Sequence, residues 1–266
     1  MPVSEELLAR ARAGDATAME ALLTESYPSV SRIARAVAGD ERAADRVVDL
    51  VLERSLRVLP TWRQGVIPEN WFYHHTLLTA REYAADHRAD PRHDPLVTHA
   101  GPAANDPGYV AFVRALRGLP EQQAEAFLLN HGEMLNERLL GVAMDCSATA
   151  AEKHLAAASA AMAAIAGAKR EDYTSALHRA YSSLTPQEGS GVREVRAFVR
   201  RKLRRRFLRR LVRWVIVLLF LGALAYAGWR WRDRIRGLIN RPTTAPAAVE
   251  VSPVHGSAVL RLYSPS

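Results

Sequence analysis

Apolar side chains recur every three or four residues from Glu5 to about residue 90, a spacing typical of amphipathic helices. Gly14 and Asp15 separate the first helix from the second, and Asp15 is a residue type that caps helix starts. The segments predicted after this break are Ala16–Tyr27, Val30–Val37, Ala43–Leu59 and Asn70–Arg88. The first 90 residues are therefore predicted to form an all-helical unit.

The composition changes over residues 91–108, which are rich in Pro, His, Asp, Ala and Gly and lack the helical spacing of apolar residues. This composition predicts an exposed linker. Helical spacing then returns in short pieces, which are Tyr109–Arg117, Pro120–His131, Asn136–Met144, a helix after Ser147 and another over Tyr173–Leu184. Short helices joined by tight turns are typical of a helix-turn-helix module.

One segment is apolar on every side. The 16 residues from Trp214 to Trp229 carry no charge, and a helix of that length spans about 24 Å against a hydrocarbon core of roughly 30 Å. Flanking positions lengthen it to about 21 residues if the arginines at its ends extend into the headgroups. We predict a transmembrane helix over about 211–231, the alternatives being a buried core helix and a helix lying on the membrane. The expected anchor residues are Arg213, Trp214, Trp229 and Trp231.

The positive charge is concentrated beside this apolar segment. Residues 193–241 hold 16 Lys or Arg and 2 Asp or Glu, whereas residues 1–192 hold 19 and 25. The net charge of +8 therefore does not by itself indicate a nucleic-acid-binding protein. Nine Lys or Arg lie in Arg200–Arg213 and five in Arg230–Arg241. By the positive-inside rule, we expect a single-pass protein of the inner (cytoplasmic) membrane with its N-terminal domains in the cytoplasm.

These patterns predict an all-α protein with two small helical domains and one C-terminal transmembrane helix. The predicted divisions are a first domain at 1–90, a linker at 91–108, a second domain at 109–168, a helical connector at 169–199, a basic flank with the transmembrane helix at 200–241, and a mostly disordered extracytoplasmic tail at 242–266. The single cysteine, Cys146, excludes an intramolecular disulfide.

The order of these units resembles the extracytoplasmic-function sigma factors, in which a linker joins two helical domains called region 2 and region 4. In region 2 the resemblance rests on ARAGDATAMEALL (Ala11–Leu23), on Tyr27 and Arg32, and on GDERAADRVVDLVLERSL (Gly39–Leu56). The first domain is thus similar to the part of these proteins that binds core RNA polymerase.

Within Gly39–Leu56, the resemblance implies a binding role for a row of acids. Family members usually carry an Ala-Glu-Asp-Leu-Val-Gln-Glu-Val-Phe-like string here, and this chain has Val48 where Gln is usual. Asp45, Asp49 and Glu53 recur at helical spacing and would present acids to a basic surface of the core polymerase. From the residues alone, an ordinary solvated helix face is the alternative.

The segment NWFYHHTLLTAREYAADHR (Asn70–Arg88) resembles the helix that unpairs and reads the promoter −10 element in the family. Aromatic side chains that stack on flipped bases, next to basic ones that contact phosphates, suit single-stranded DNA. The implied DNA-binding residues are Trp71, Tyr73, Arg81 and Arg88. Packing in the core is the alternative role for Trp71.

Region 4 is matched by LRGLPEQQAEAFLLNHGEMLNERLLGVAMDCSATAAEKHL (Leu116–Leu155). The implied recognition helix follows the turn at Cys146, with Ser147, Thr149, Lys153 and His154 as its weak DNA contacts. Family members carry several Lys and Arg here, whereas Ala148–Ile165 holds one Lys, one His and one Glu. Because phosphate neutralisation dominates affinity for DNA, we predict weak or altered binding of the promoter −35 element.

Three functions of different classes follow. The favoured one is a membrane-anchored sigma factor that binds core RNA polymerase, promoter DNA and membrane lipid, with an anti-sigma or envelope signalling protein as a further partner. The alternative is a degenerate sigma-like membrane adaptor without productive DNA recognition. An enzyme is disfavoured because no nucleophile, phosphate-binding or paired-carboxylate motif occurs, and we expect no cofactor. His74, His75 and His87 do not have the spacing of a metal site.

Overall fold

The computed structural model of the chain describes residues 4–63, 65–84, 93–186 and 189–239. These residues form helices and turns without a strand among them, which confirms the all-helical fold class for this part of the chain. The helices are α1 (Glu5–Arg12), α2 (Ala16–Ala38), α3 (Glu41–Val58), α4 (Pro68–Ala84), α5 (Pro95–Thr98), α6 (Pro107–Gly118), α7 (Glu121–Glu133), α8 (Glu137–Met144), α9 (Ala148–Ala166), α10 (Arg170–Ser183) and α11 (Ser190–Ile239).

Polar caps define the first helix boundaries. The Asp15 carboxylate accepts hydrogen bonds from the backbone N–H groups of Thr17 and Ala18, at 2.9 and 3.2 Å, and so begins α2 as predicted. Gly39 ends α2 in the left-handed conformation with φ of 70°, which glycine adopts without a Cβ clash. Asp40 then caps α3. These breaks are therefore encoded locally.

α2 is longer than predicted, because Ala16–Tyr27 and Val30–Val37 belong to one helix with Pro28 inside it. An interior proline removes a backbone hydrogen bond and costs about 3 kcal/mol. Buried side chains lie on both sides of the proline, among them Leu22, Leu23, Val30 and Ile33. Burial of each contributes about 1.5–3 kcal/mol, so packing outweighs the local penalty. The prediction of two separate segments was wrong for this reason.

The chain divides into two compact units, the first of which ends at Phe207. This unit contains two hydrophobic clusters. The α1–α4 cluster is formed by α1 to α4 together with the start of α11, and includes Val51, Phe72 and Phe198. The α5–α10 cluster is formed by α5 to α10 and includes Ile33 of α2 and Leu77 of α4. α2 and α4 therefore contribute side chains to both cores.

Part of the predicted linker packs into the α5–α10 cluster. Leu96 of α5 is fully buried. Asp94 caps this helix and also accepts two hydrogen bonds from the Arg117 guanidinium, at 2.8 and 3.1 Å. The expectation of an exposed linker is wrong here, because apolar side chains and a paired carboxylate hold the segment against the core. Residues 85–92 lie outside the described residues.

The second compact unit begins at Leu208, and its described part is the remainder of α11. Every side chain from Val212 to Trp229 is exposed. Among the described residues, this is the one segment long and apolar enough to cross a membrane, by length and composition. An apolar helix at the C-terminal end of the described chain is therefore confirmed, whereas the predicted tail at 242–266 lies outside the described residues.

Candidate functional site

The three acids predicted to bind core polymerase lie on one face of α3. Asp45 and Asp49 are exposed, and the Glu53 side chain is 39% exposed. Arg35 of α2 lies 3.9 Å from a carboxylate oxygen of Asp45, measured from Nη2 to Oδ1. The Lys202 ammonium of α11 donates a hydrogen bond to Glu53 and thereby lowers the pKa of that carboxyl. One acid of the row is thus paired with a basic residue of α11.

A groove of about 400 Å³ runs beside this acidic row, and α2, α3 and α11 form its walls. The α11 wall includes Glu194, whose carboxylate accepts a hydrogen bond from the Tyr27 hydroxyl. The groove residues are Tyr27, Arg35, Asp45, Val48, Asp49, Leu52, Glu194, Ala197, Phe198 and Arg201. We call this the α2–α3 groove. Asp45 and Asp49 are therefore exposed at the edge of a concave surface.

The start of α11 was predicted only as a connector and basic flank, so its packing on α2 and α3 was missed. Val195, Phe198 and Val199 are 0, 4 and 2% exposed. Their spacing, together with Lys202, repeats at i, i+3, i+4 and i+7, which is the pattern of an amphipathic helix. This spacing is present in the sequence, but the many arginines around it make an amphipathic helix difficult to recognise there.

α4 places two of its predicted DNA contacts in packed surroundings. The Trp71 ring lies 5.3 Å from that of Trp62, 5.2 Å from Phe72 and 4.2 Å from His75, measured between ring centroids. Trp71 and Tyr73 are both partly buried. Burial raises the pKa of Tyr73, and nearby Glu133 raises it further. These rings keep only part of their faces open for stacking on a base.

Arg81, the third predicted DNA contact on α4, forms a two-pronged ion pair with Glu125 of α7. Its Nε and Nη2 atoms each lie 2.6 Å from a carboxylate oxygen. The Glu125 side chain is 3% exposed, and burial raises the pKa of its carboxyl although Arg81 acts in the opposite direction. The guanidinium is therefore directed at a protein carboxylate, and phosphate contact would require this pair to break. Arg88 lies outside the described residues.

A second, partly buried ion pair joins α2 to α7. Arg32 donates to Glu133 through Nε and Nη2, at 2.7 and 2.8 Å. These partners are 101 residues apart, and Arg81 and Glu125 are 44 apart. Sequence patterns did not predict either pair. The available signal was an acid on the apolar side of a helix, since Glu125 lies three and four residues before Leu128 and Leu129.

α8 and α9 meet across a three-residue turn, Asp145–Ser147. Asp145 adopts a left-handed conformation with φ of 58°, and Ser147 caps α9 by accepting from the backbone N–H of Ala150 at 3.1 Å. The turn passes close over Gly141, where an added Cβ would lie 2.8 Å from the Cys146 carbonyl oxygen. Glycine therefore allows this close approach.

The predicted contacts on α9 have different exposures. Ser147, Thr149 and Lys153 are exposed, whereas His154 is partly buried. The Ser147 hydroxyl is already the cap of α9. The remaining exposed positions from 148 to 165 are mostly alanine, so this surface of the helix presents little charge.

The predicted anchor residues lie at the ends of the exposed apolar segment of α11. Arg213 is exposed, and Trp214, Trp229 and Trp231 are 67, 69 and 59% exposed. Elsewhere, the His74 and His75 rings lie 4.9 Å apart. Within the described part of the chain, no group of three or more His, Cys, Asp or Glu is arranged to hold a metal. His87 lies outside that part.

Over the residues that the structure describes, the fold and these surfaces are those of an all-helical protein with one exposed apolar helix segment. No protein-family model, curated protein or solved structure matches the chain. Any assignment of function therefore depends on the residues and packing of the chain itself.

Proposed function

We propose that the chain is a membrane-anchored sigma factor of the extracytoplasmic-function type, which binds core RNA polymerase and directs transcription initiation at selected promoters. The observation that supports this most is the packing of α8 and α9 across a three-residue turn with Gly141 beneath it. Two helices joined by a turn of three or four residues are typical of a helix-turn-helix. In this proposal residues 1–90 act as region 2 and residues 109–168 as region 4.

The exposed acids of α3 supply the polymerase contact in this proposal. Asp45 and Asp49 offer carboxylates to a basic partner, and complementary charge raises the association rate and sets the register of binding. The apolar part of α11 acts as the membrane anchor over about 211–231, with the domains before it in the cytoplasm. Basic residues next to an anionic leaflet stabilise that orientation by about 1 kcal/mol each.

The surfaces proposed to recognise DNA present little unpaired positive charge. Trp71 and Tyr73 are partly open for base stacking, but Arg81 must first leave Glu125. On the exposed surface of α9, the charge of Lys153 is balanced by that of Glu152. We therefore expect weak binding of the promoter −35 element. Fluorescence anisotropy of the full chain should show no sequence-selective, submicromolar affinity for duplex DNA at physiological salt.

Capture of core RNA polymerase by the full chain in lipid nanodiscs tests the proposal. Asp49→Asn removes one exposed charge without changing the shape of α3, and we expect about a tenfold loss of affinity for the core enzyme. Glu171→Gln, which removes an exposed acid from α10, is the matched control and should bind like the wild type. Equal binding of wild type and Asp49→Asn would contradict the role of α3.

A degenerate sigma-like membrane adaptor is the second candidate. It is favoured by the pairing of Arg81 with Glu125 and by the near-neutral surface of α9, both of which remove charge that DNA recognition needs. An adaptor would associate with an anti-sigma or envelope signalling protein instead of a promoter. Run-off transcription separates the two, because an adaptor gives no transcript with core polymerase on any template.

A further inference from the structure

We propose that residues 190–202, the first turns of α11, are an intramolecular ligand that occupies one side of the α2–α3 groove and competes with core RNA polymerase for α3. We call these residues the docking segment. The inference rests on the proposed function, because it assigns a regulatory occupant to the surface that would bind the polymerase.

Apolar packing holds the docking segment in place. Val195, Phe198 and Val199 lie on one face of α11 and are 0, 4 and 2% exposed. They belong to the same hydrophobic cluster as Val48 and Leu52 of α3. Burial of these three side chains stabilises the docked position of α11.

Charge complementarity adds to this packing. Lys202 pairs with Glu53 of α3, and Arg196 pairs with Glu20 of α2 through Nε and Oε1 at 2.6 Å. Arg201 lines the groove beside the acids. One basic residue of the docking segment is therefore paired with an acid that the proposed function assigns to the polymerase contact, and a second lies in the same groove as Asp45 and Asp49.

The start of the docking segment fits closely against α2. A Cβ added to Gly191 would lie 2.7 Å from Cδ1 and 2.9 Å from Cε1 of the Tyr27 ring. Both distances are too short for carbon atoms, so even an alanine requires the helix or the ring to move. The Tyr27 hydroxyl also donates a hydrogen bond to Glu194. Small changes at Gly191 should therefore loosen docking without removing any apolar contact.

A partner that recognises the acids of α3 must displace or accommodate the docking segment. Glu53 is paired with Lys202, and the groove beside Asp49 has Phe198 in its opposite wall. The docking segment is followed in the sequence by the basic run that ends at Arg213. Release of the docking segment is thus a step at which events at the membrane can control access to α3.

The experiment uses the full chain in nanodiscs and two readouts, hydrogen exchange of residues 190–202 and affinity for core RNA polymerase. Gly191→Ala favours the helix but crowds Tyr27, and Phe198→Asp removes the central apolar contact. We expect both variants to exchange faster in the docking segment and to bind the core enzyme at least about tenfold more tightly than the wild type. Phe198→Leu retains an apolar side chain and is the matched control, expected to behave like the wild type.

The outcomes separate this inference from the proposed function. If the variants exchange faster but bind core polymerase no more tightly than a wild type that binds, the competition is disproved and the sigma-factor proposal stands. Unchanged exchange in both variants would also overturn the inference, since the segment would then not be held by these contacts. If no form binds the core enzyme, both proposals fail together.

Discussion

The Arg81 guanidinium donates two hydrogen bonds to Glu125, whose side chain is 3% exposed. Arg81→Gln leaves this carboxylate buried without its ion-pair partner, and we expect a loss of about 3–5 kcal/mol in the free energy of unfolding. Urea denaturation followed by tryptophan fluorescence measures this loss. Arg114→Gln, at an exposed position of α6, is the control and should change stability by less than about 0.5 kcal/mol.

A double substitution shows whether Arg81→Gln loses stability because Glu125 is left unpaired or because side-chain contacts are removed. Arg81→Met combined with Glu125→Leu removes both charges and keeps apolar volume, so it should recover most of the stability lost in Arg81→Gln. If Arg81→Gln is as stable as the wild type, the pair contributes nothing to the fold. Arg81 would then be free to contact DNA, as the sequence alone predicts.

His75 makes stability depend on pH. Burial, Arg54 and His74 together lower the pKa of His75 to about 4, so the folded protein favours the neutral ring. The unfolded chain binds a proton below about pH 6.5, and stability should therefore be full above that pH and be lost as the pH falls from 6.5 toward 4. We expect a loss of roughly 1–2 kcal/mol, reduced by the partial solvent access of the ring.

Replacement of His75 tests whether this residue causes the loss of stability at low pH. His75→Phe keeps an aromatic ring beside Trp71 and should reduce the loss of stability between pH 6.5 and 5, where few carboxylates become protonated. Some dependence of the free energy of unfolding on pH should remain in this variant, since burial also lowers the pKa of His131. His99→Gln, at an exposed site, is the control. An unchanged slope in His75→Phe would contradict the assignment.

At the scale of elements, the junction of α8 and α9 leaves no room for a side chain at Gly141. Gly141→Val places carbon 2.8 Å from the Cys146 carbonyl oxygen and 3.1 Å from the Ala148 nitrogen. We expect the turn to open and the melting temperature to fall, at a cost of about 1–3 kcal/mol. Gly118→Ala meets no atom within 4 Å and should be neutral or slightly stabilising. A Gly141→Val protein as stable as Gly118→Ala would show that this turn is loosely packed.

Local capping and tertiary packing both determine where helices begin and end. α3 begins at Glu41, two residues before the predicted start at Ala43, because Asp40 caps it and Gly39 ends the helix before it. α2 instead passes through Pro28, since its buried face continues on both sides of the proline. Local signals therefore predict helices well where they act alone, and less well where packing opposes them.

For the whole molecule, the exposed apolar segment should keep the chain in the membrane. Arginine near the centre of a bilayer costs about 2.5–3.5 kcal/mol, so Leu218→Arg combined with Leu221→Arg should move the chain from the carbonate-resistant to the soluble fraction. The same positions changed to alanine are the control and should stay in the membrane fraction. Release of the wild type by carbonate would disprove the anchor.

Orientation can be measured with the same full chain. In a Cys146→Ser background, Ser257→Cys should react with a membrane-impermeant maleimide on intact cells, and Glu171→Cys should react only after permeabilisation. This result is expected because more basic residues precede the apolar segment than follow it. The reverse labelling would place the helical domains outside the cytoplasm and exclude a role with RNA polymerase.

The sequence by itself determined most of the helices and their approximate boundaries, the apolar segment and the separation of charge. These features depend on caps, periodicity and composition, which act within a few residues of the chain. The tertiary structure decided that Arg81 meets Glu125, that Leu96 is buried and that Phe198 packs beside α3. These contacts join residues far apart in sequence, and which distant surfaces meet depends on the packing of the complete fold, not on any local pattern.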